Sequence, residues 1–169
     1  HYKAKGIEIA AILHQPESEA TTTLSNSEKQ NHNLENVLDM QILNDAKSAI
    51  VNKKTVNLSY PIQNTDRTLG AIISNEISKI HGEDGLPEDA LSLNFKGSAG
   101  QSFGAFSTKG ITLKLEGEAN DYLGKGLSGA KIIVKKPKEA TFVAEDNVIV
   151  GNVCFYGAIK GEAYINGIA

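Results

Sequence analysis

The sequence predicts a mainly β fold, a coil of short strands punctuated by glycine and led in by a short α-helical segment. Three observations predict it. Twelve of the 16 glycines lie at or after Gly97. Helix-period apolar patterns stop near Ala90. Strands of alternating apolar and polar residues then return at intervals of about twenty residues, shortening toward the end, as coiled stacks of strands do. One coil cannot hide its own apolar row and so stacks on the next. An antiparallel sandwich or barrel also shows short strands and glycine turns, and the period alone leaves both architectures open.

The elements follow in order. Residues 1–33 open mildly apolar from Tyr2 to Leu13. They turn almost wholly polar from Gln15 to Asn33, too polar to bury a core. They read as an exposed linker or a strap on a neighbouring domain. Residues 34–88 read as an α/β lead-in. Leu34, Leu38, Ile42, Ala46 and Ile50 form one stripe, which predicts a helix from Leu34 to Val51 with Asn33 as N-cap. Thr55–Tyr60 alternates like a strand, which Pro61 ends or places at an edge. Leu69, Ile72, Ile73, Ile77 and Ile80 predict a second helix stopping at His81-Gly82. Gly85 to Asp89 is a turn.

Residues 89–169 read as the strand repeats. The expected strands are Leu91–Gly97, Ile111–Gly117, Lys131–Val134, Val148–Gly151 and Glu162–Gly167, with Ile111, Leu113 and Leu115 inward and Thr112, Lys114 and Glu116 outward. Val153-Cys154-Phe155-Tyr156 also reads as an apolar strand. The turns between faces are assigned to Gly97, Gly100, Gly104, Gly117, Asn120, Asp121, Gly124, Gly126, Gly129, Gly151 and Gly157. The chain opens at His1 without a methionine and ends inside the repeat at Ile165–Ala169, so both ends are expected to be cut and the last coil to be truncated.

Composition narrows function by class. The formal charge is -3 over 169 residues, which offers no broad basic field for nucleic acid or anionic lipid. No apolar run nears the roughly 20 residues of a membrane helix. The single cysteine, Cys154, fits a reducing, cytoplasmic setting. It also has no histidine near it in sequence to act as base, since His1, His14, His32 and His81 all precede the repeats. No Cys/His spacing suggests a zinc site. Gly97–Phe106 is glycine-rich after a strand, but no Gly-Lys-Ser/Thr ends it and no helix follows. Gly124, Gly126 and Gly129 mimic a dinucleotide fingerprint in letters, yet the β-branched Lys131–Val134 that follows is strand-like. Lys125 reads as solvated, as do Glu116 and Glu118.

Three segments carry a family resemblance. Gly97–Phe106 reads GSAGQSFGAF, Leu115–Gly129 reads LEGEANDYLGKGLSG, and Val150–Ala158 reads VGNVCFYGA. Together with Asn64–Gly70, NTDRTLG, they resemble the C-terminal domain of the glutamate synthase large subunit over about residues 34–169. The resemblance implies a right-handed single-stranded parallel β-helix of Gly-x-x-Gly-x-Gly elements. It implies a parent enzyme that releases ammonia from glutamine, passes it through a tunnel to 2-oxoglutarate, and completes L-glutamate by FMN-dependent reduction. An iron-sulfur cluster and NAD(P)H or ferredoxin would supply electrons.

None of that chemistry maps onto residues here. The family's glutaminase nucleophile is an N-terminal cysteine, and His1 opens this chain. The FMN and cluster belong to the preceding synthase domain. The resemblance therefore implies a non-catalytic scaffold with no catalytic, cofactor or metal residues of its own, packed against the amidotransferase and synthase domains of one chain. A small NAD(P)H-oxidising subunit is a further expected partner, and the open last coil is expected to self-associate. Gly85-Leu86-Pro87 and Gly161-Glu162-Ala163-Tyr164 lean toward the NAD(P)H-dependent branch. The alternatives are a β-helix subunit resembling tungsten or molybdenum formylmethanofuran dehydrogenases, or a free-standing β-helix module for a small anion or sugar.

Overall fold

The computed structural model describes residues 2–19 and 21–169. His1, set above against the family's nucleophilic cysteine, lies outside the described residues. The chain divides into two compact units, His1–His32 and Asn33–Ala169.

In the first unit a 3-10 turn spans Tyr2–Gly6 and buries nothing. Every described residue of the unit is exposed, including Ile12 at 82%. From Gln15 onward the polar composition predicts this, because such a stretch holds too little apolar surface to offset ordering.

The second unit contains three helices, α1 (Leu38–Asp45), α2 (Lys47–Asn52) and α3 (Ala71–His81). Its five strands are β1 (Val56–Ile62), β2 (Leu91–Ala99), β3 (Ile111–Ala119), β4 (Ser128–Lys135) and β5 (Lys160–Asn166). All neighbours pair parallel, in the order β1-β2-β3-β4-β5. Parallel neighbours cannot be joined by a hairpin, so each connection crosses over, the first of them through α3.

This overturns the expected β-helix. The unit is a small α/β domain with one all-parallel five-stranded sheet. The return near twenty residues survives only in the middle of the sheet, where Leu91 lies beside Ile111 and Thr112 beside Lys131. The outer steps are much longer, setting Val56 beside Leu91 and Lys131 beside Glu162. The helices of residues 34–88 contribute to the same core. Ile42, Ala46, Ala49, Ile73 and Ile77 join Leu91, Leu93, Phe95, Leu113, Leu115 and Ile132 in one buried cluster. Repeat spacing fixes that strands lie side by side; what covers their apolar face decides the class, and here helices share that work.

Local expectations fare unevenly. α3 ends where the pattern says, with Gly82 as its C-cap. The helix expected from Leu34 to Val51 is broken at Ala46, whose φ of -89° and ψ of 5° leave the helical region. Asn33 is left-handed and makes no side-chain cap. Val148–Gly151 makes only isolated bridges, Val148 to Ile168 and Val150 to Ala119. Val153–Tyr156 is a turn rather than a strand, with Val153 and Phe155 at φ of 58° and 59°.

The inward row of β3 is as expected, Ile111, Leu113 and Leu115 being at most 1% exposed. Each such side chain contributes about 1.5–3 kcal/mol by burial. Thr112 departs from its expected outward exposure. It is 2% exposed, and its hydroxyl donates to Asp89. The outward row carries Lys96, Glu116 and Lys135, with Glu116 Oε1 3.8 Å from Lys96 Nζ and Oε2 3.4 Å from Lys135 Nζ.

Candidate functional site

The chemistry-bearing side chains of the repeats gather at the turns that follow β2 and β3 and at the matching turn after Val150. Three five-residue turns repeat one backbone shape. Ser102, Gly104 and Phe106 have positive φ; so do Tyr122, Gly124 and Gly126; so do Val153, Phe155 and Gly157. Their N–H groups alternate in direction. Ser102 donates to Asp121 O at 2.9 Å and Tyr122 to Asn152 O at 2.9 Å, each toward the following turn. Gly104 donates back to Leu69 O, Gly124 to Phe103 O and Phe155 to Leu123 O. Phe106 and Gly126 again reach forward, to Lys125 O and Tyr156 O at 2.8 Å. In the third turn the forward donors, Val153 N–H and Gly157 N–H, find no acceptor among the described residues.

Side chains reinforce this ladder. Asn120 Nδ2 donates to Asn64 Oδ1 at 2.9 Å, and its Oδ1 accepts the Asp121 N–H at 2.7 Å. Asp121 Oδ1 accepts the Asn152 N–H at 2.8 Å. Gly151 lies against that carboxylate, where a Cβ would stand 2.5 Å from Oδ1. Gly100 donates to Asp66 O at 3.2 Å. Gly97 and Gly117 are opposite one another inside β2 and β3, and Gly129 lies in β4. A Cβ on Gly117 would collide with the Gly97 carbonyl, and one on Gly97 with the Ile62 carbonyl. Gly126 faces the Phe106 ring and Gly124 the Phe155 ring. Lys125 is not merely solvated, since its Nζ sits 5.6 Å from the Tyr122 ring centroid.

Electrostatics single out further groups, of which the sequence reading passed over Asp39 and Ser74. Asp39, 4% exposed on α1, accepts the N–H groups of Gly70 and Ile72, each at 3.0 Å, at the start of α3. Burial pushes its carboxyl above the usual range despite those bonds. Its 31-residue distance from Gly70 gave no local signal. Ser74 Oγ accepts the Thr108 N–H and pins α3 to the turn before β3. The His81 ring meets Ile50 O at 2.6 Å, joining the ends of α2 and α3. Asp89 is held below its ordinary pKa by the Thr112 hydroxyl and then by Lys131. Glu116 is lowered by the Lys138 backbone N–H and by Lys96.

Cys154 is half-buried, donates from Sγ to Gly151 O at 3.2 Å, and has its thiol pushed up by burial. An iron-sulfur cluster takes about four thiolates, so the donor set of this chain, with one cysteine, does not fit one. Among the described residues no group of three His, Cys, Asp or Glu could hold a metal ion. No helix among them is long and apolar enough to cross a membrane.

Residues 39–169 match the family model of the GXGXG motif. The chain belongs to that family. It is 51% identical over 170 residues to the glutamate synthase [NADPH] large chain of Bacillus subtilis (strain 168), covering 100% of this chain and 11% of the relative. It is 51% identical over 143 residues to the glutamate synthase [NADH] of Saccharomyces cerevisiae, 85% of this chain and 7% of that one. The ferredoxin-dependent glutamate synthase 2 of Synechocystis is 43% identical over 169 residues, 99% of this chain and 11% of the relative. The GXGXG chain described here thus spans 7–11% of the length of these relatives.

Proposed function

We propose that this chain is a structural segment of a glutamate synthase large subunit. In this reading it makes no bond itself and holds the amidotransferase and synthase domains of the same chain in position. The parent would form L-glutamate from glutamine and 2-oxoglutarate, with FMN and an iron-sulfur cluster in its synthase region and a cytoplasmic location. The observation that carries the reading is 51% identity across the full chain to a glutamate synthase large chain. The use of the motif's side chains supports it: Asn120, Asp121, Asn64 and Asn152 bond one another's turns rather than converging on a cavity.

NAD(P)H is the proposed source of electrons, through a small oxidising subunit. The chain is closer in identity to NADPH and NADH relatives, at 51%, than to the ferredoxin-dependent one quoted, at 43%.

The test compares the full-length parent with the isolated 169 residues. Glutamate formation from glutamine and 2-oxoglutarate is followed with NADPH, NADH or reduced ferredoxin. An active parent beside an inert, flavin-free segment is the expected outcome. Flavin binding or turnover by the segment alone would overturn the division of labour, and an inactive parent would overturn the assignment of activity.

A further inference from the structure

The chain leaves β4 after Lys135 and is next anchored at Ala144, which is buried. Between residues 137–143 and the C-terminal halves of β2 and β3 lies a hollow of about 590 Å³. Gly97, Ser98, Glu116 and Gly117 line it from the sheet, and Pro137 and Phe142 from the other side. Among the described residues one hydrogen bond ties this segment to the sheet, from the Lys138 N–H to Glu116 Oε1 at 3.3 Å. Others stay within the connection: the Ala140 N–H donates to Pro137 O at 3.1 Å and Lys136 Nζ to Ala140 O at 2.6 Å. Lys136 Nζ also lies 5.5 Å from the Phe142 ring centroid. That ring lines the hollow without filling it, and Phe142 is 38% exposed.

The floor beneath it is bare backbone. Gly97 and Gly117 are paired across β2 and β3, and neither carries a side chain. Twice elsewhere this domain sets an aromatic ring on such a glycine, Phe155 against Gly124 and Phe106 against Gly126. We propose that residues 137–143 are a strap that closes onto the sheet and carries the Phe142 ring onto the Gly97 and Gly117 floor. Closing takes apolar ring surface out of water. What it gives up is a hydrogen bond at an exposed site and a cation over an exposed ring, both weak in water. The ends need not move: Lys135 stays in β4, and Val143 O keeps the bond it accepts from Asn147 Nδ2 at 2.8 Å. Strap and floor lie inside the domain, so the closure is independent of the proposed enzymatic context.

The sequence has no tryptophan, so Phe142→Trp places a single fluorescent reporter on the strap. Acrylamide quenching of that reporter reads its exposure, with circular dichroism to confirm folding. Lys136→Met in this background removes the cation from the ring. A strap that closes moves further toward the closed form, and quenching falls by about twofold. A strap fixed where it stands loses the cover of Lys136, and quenching rises. Ser98→Leu, also in this background, fills the hollow from the sheet side. Closure is then blocked, and quenching rises by about twofold. A fixed ring instead gains a neighbour, and quenching stays or falls. Should one variant fail to fold, the other decides. A change of the opposite sign, or no change, in either folded variant overturns the proposal.

Discussion

Replacing Gly97 by alanine asks how closely the strands of this sheet are stacked. Gly97 pairs with Ile62 of β1 and Gly117 of β3 and has a φ of 131°. An L-residue held there costs about 1–3 kcal/mol. The added Cβ also meets the Ile62 carbonyl oxygen, at a separation no real Cβ adopts. That oxygen is backbone in a paired strand, and Ile62 is 3% exposed, so it cannot yield without disturbing the ladder. A buried backbone group left unpaired costs about 1–3 kcal/mol more. Together the substitution removes about 2–6 kcal/mol. Gly82 is the control: its φ is 60°, yet nothing lies within 4 Å of a Cβ there. Gly82→Ala should cost about 1–3 kcal/mol, the conformational part alone. At about 3 °C per kcal/mol for a domain of this size, thermal midpoints should fall by about 6–18 °C and about 3–9 °C respectively. The assay is thermal and urea denaturation followed by circular dichroism. Equal losses for the two variants would refute the reasoning, because they would show that the Ile62 contact carries no cost.

The remaining predictions concern charge and boundaries. Asp39 has a raised folded pKa, so its contribution is full below the ordinary carboxylate pKa and is lost as pH rises through the raised value. Asp39→Asn should therefore gain on the wild type as pH rises above the ordinary carboxylate range, as urea midpoints would show. Asp89 is lowered, so its contribution is present above the ordinary pKa and lost as pH falls through the lowered one. Asp89→Asn should cost stability near neutrality and little in acid, and a pH-independent difference would contradict the Thr112 and Lys131 contacts as its cause. Trypsin should cut first at Lys29, in a unit that buries no described residue, and leave a resistant product beginning at Gln30; mass spectrometry of a time course reads this directly.

The elements that could be read from sequence were those whose signal is local. Leu69 to Ile80 carries a helical stripe and a glycine stop, and α3 ends at His81 with Gly82 as cap. Leu91, Leu93 and Phe95 alternate with polar residues, and all three are buried. Signals shared by two conformations misled. Val153-Cys154-Phe155-Tyr156 is apolar enough for a strand, yet its partners in the ladder, Ser102–Phe106 and Tyr122–Gly126, are left-handed turns, and it takes their shape despite a β-branched residue at positive φ. Hydropathy cannot report that, because the shape is imposed by the neighbouring turn's carbonyls rather than by the side chains themselves.

The class of the fold was hidden for a related reason. Twenty-residue spacing between Leu91 and Ile111 is equally compatible with strands closing into a coil and with one parallel sheet whose apolar face is covered by something else. The deciding contacts join Ile42, Ile73 and Ile77 to the sheet's core and lie outside the repeats. Asp39 shows how those helices are locked in place. A carboxylate on α1 spans 31 residues to hold the first N–H groups of α3, and burial raises its pKa. A buried acid with backbone donors as partners is costly to retain unless its geometry is needed. The need here is orientation: with Asp39 in place, α3 starts from its N-cap Gly70, where a side chain would run into the Ser107 hydroxyl. The polar turns and the helices are therefore one mechanical unit, and the glycine motif is as much a docking surface for α3 as a set of corners between strands.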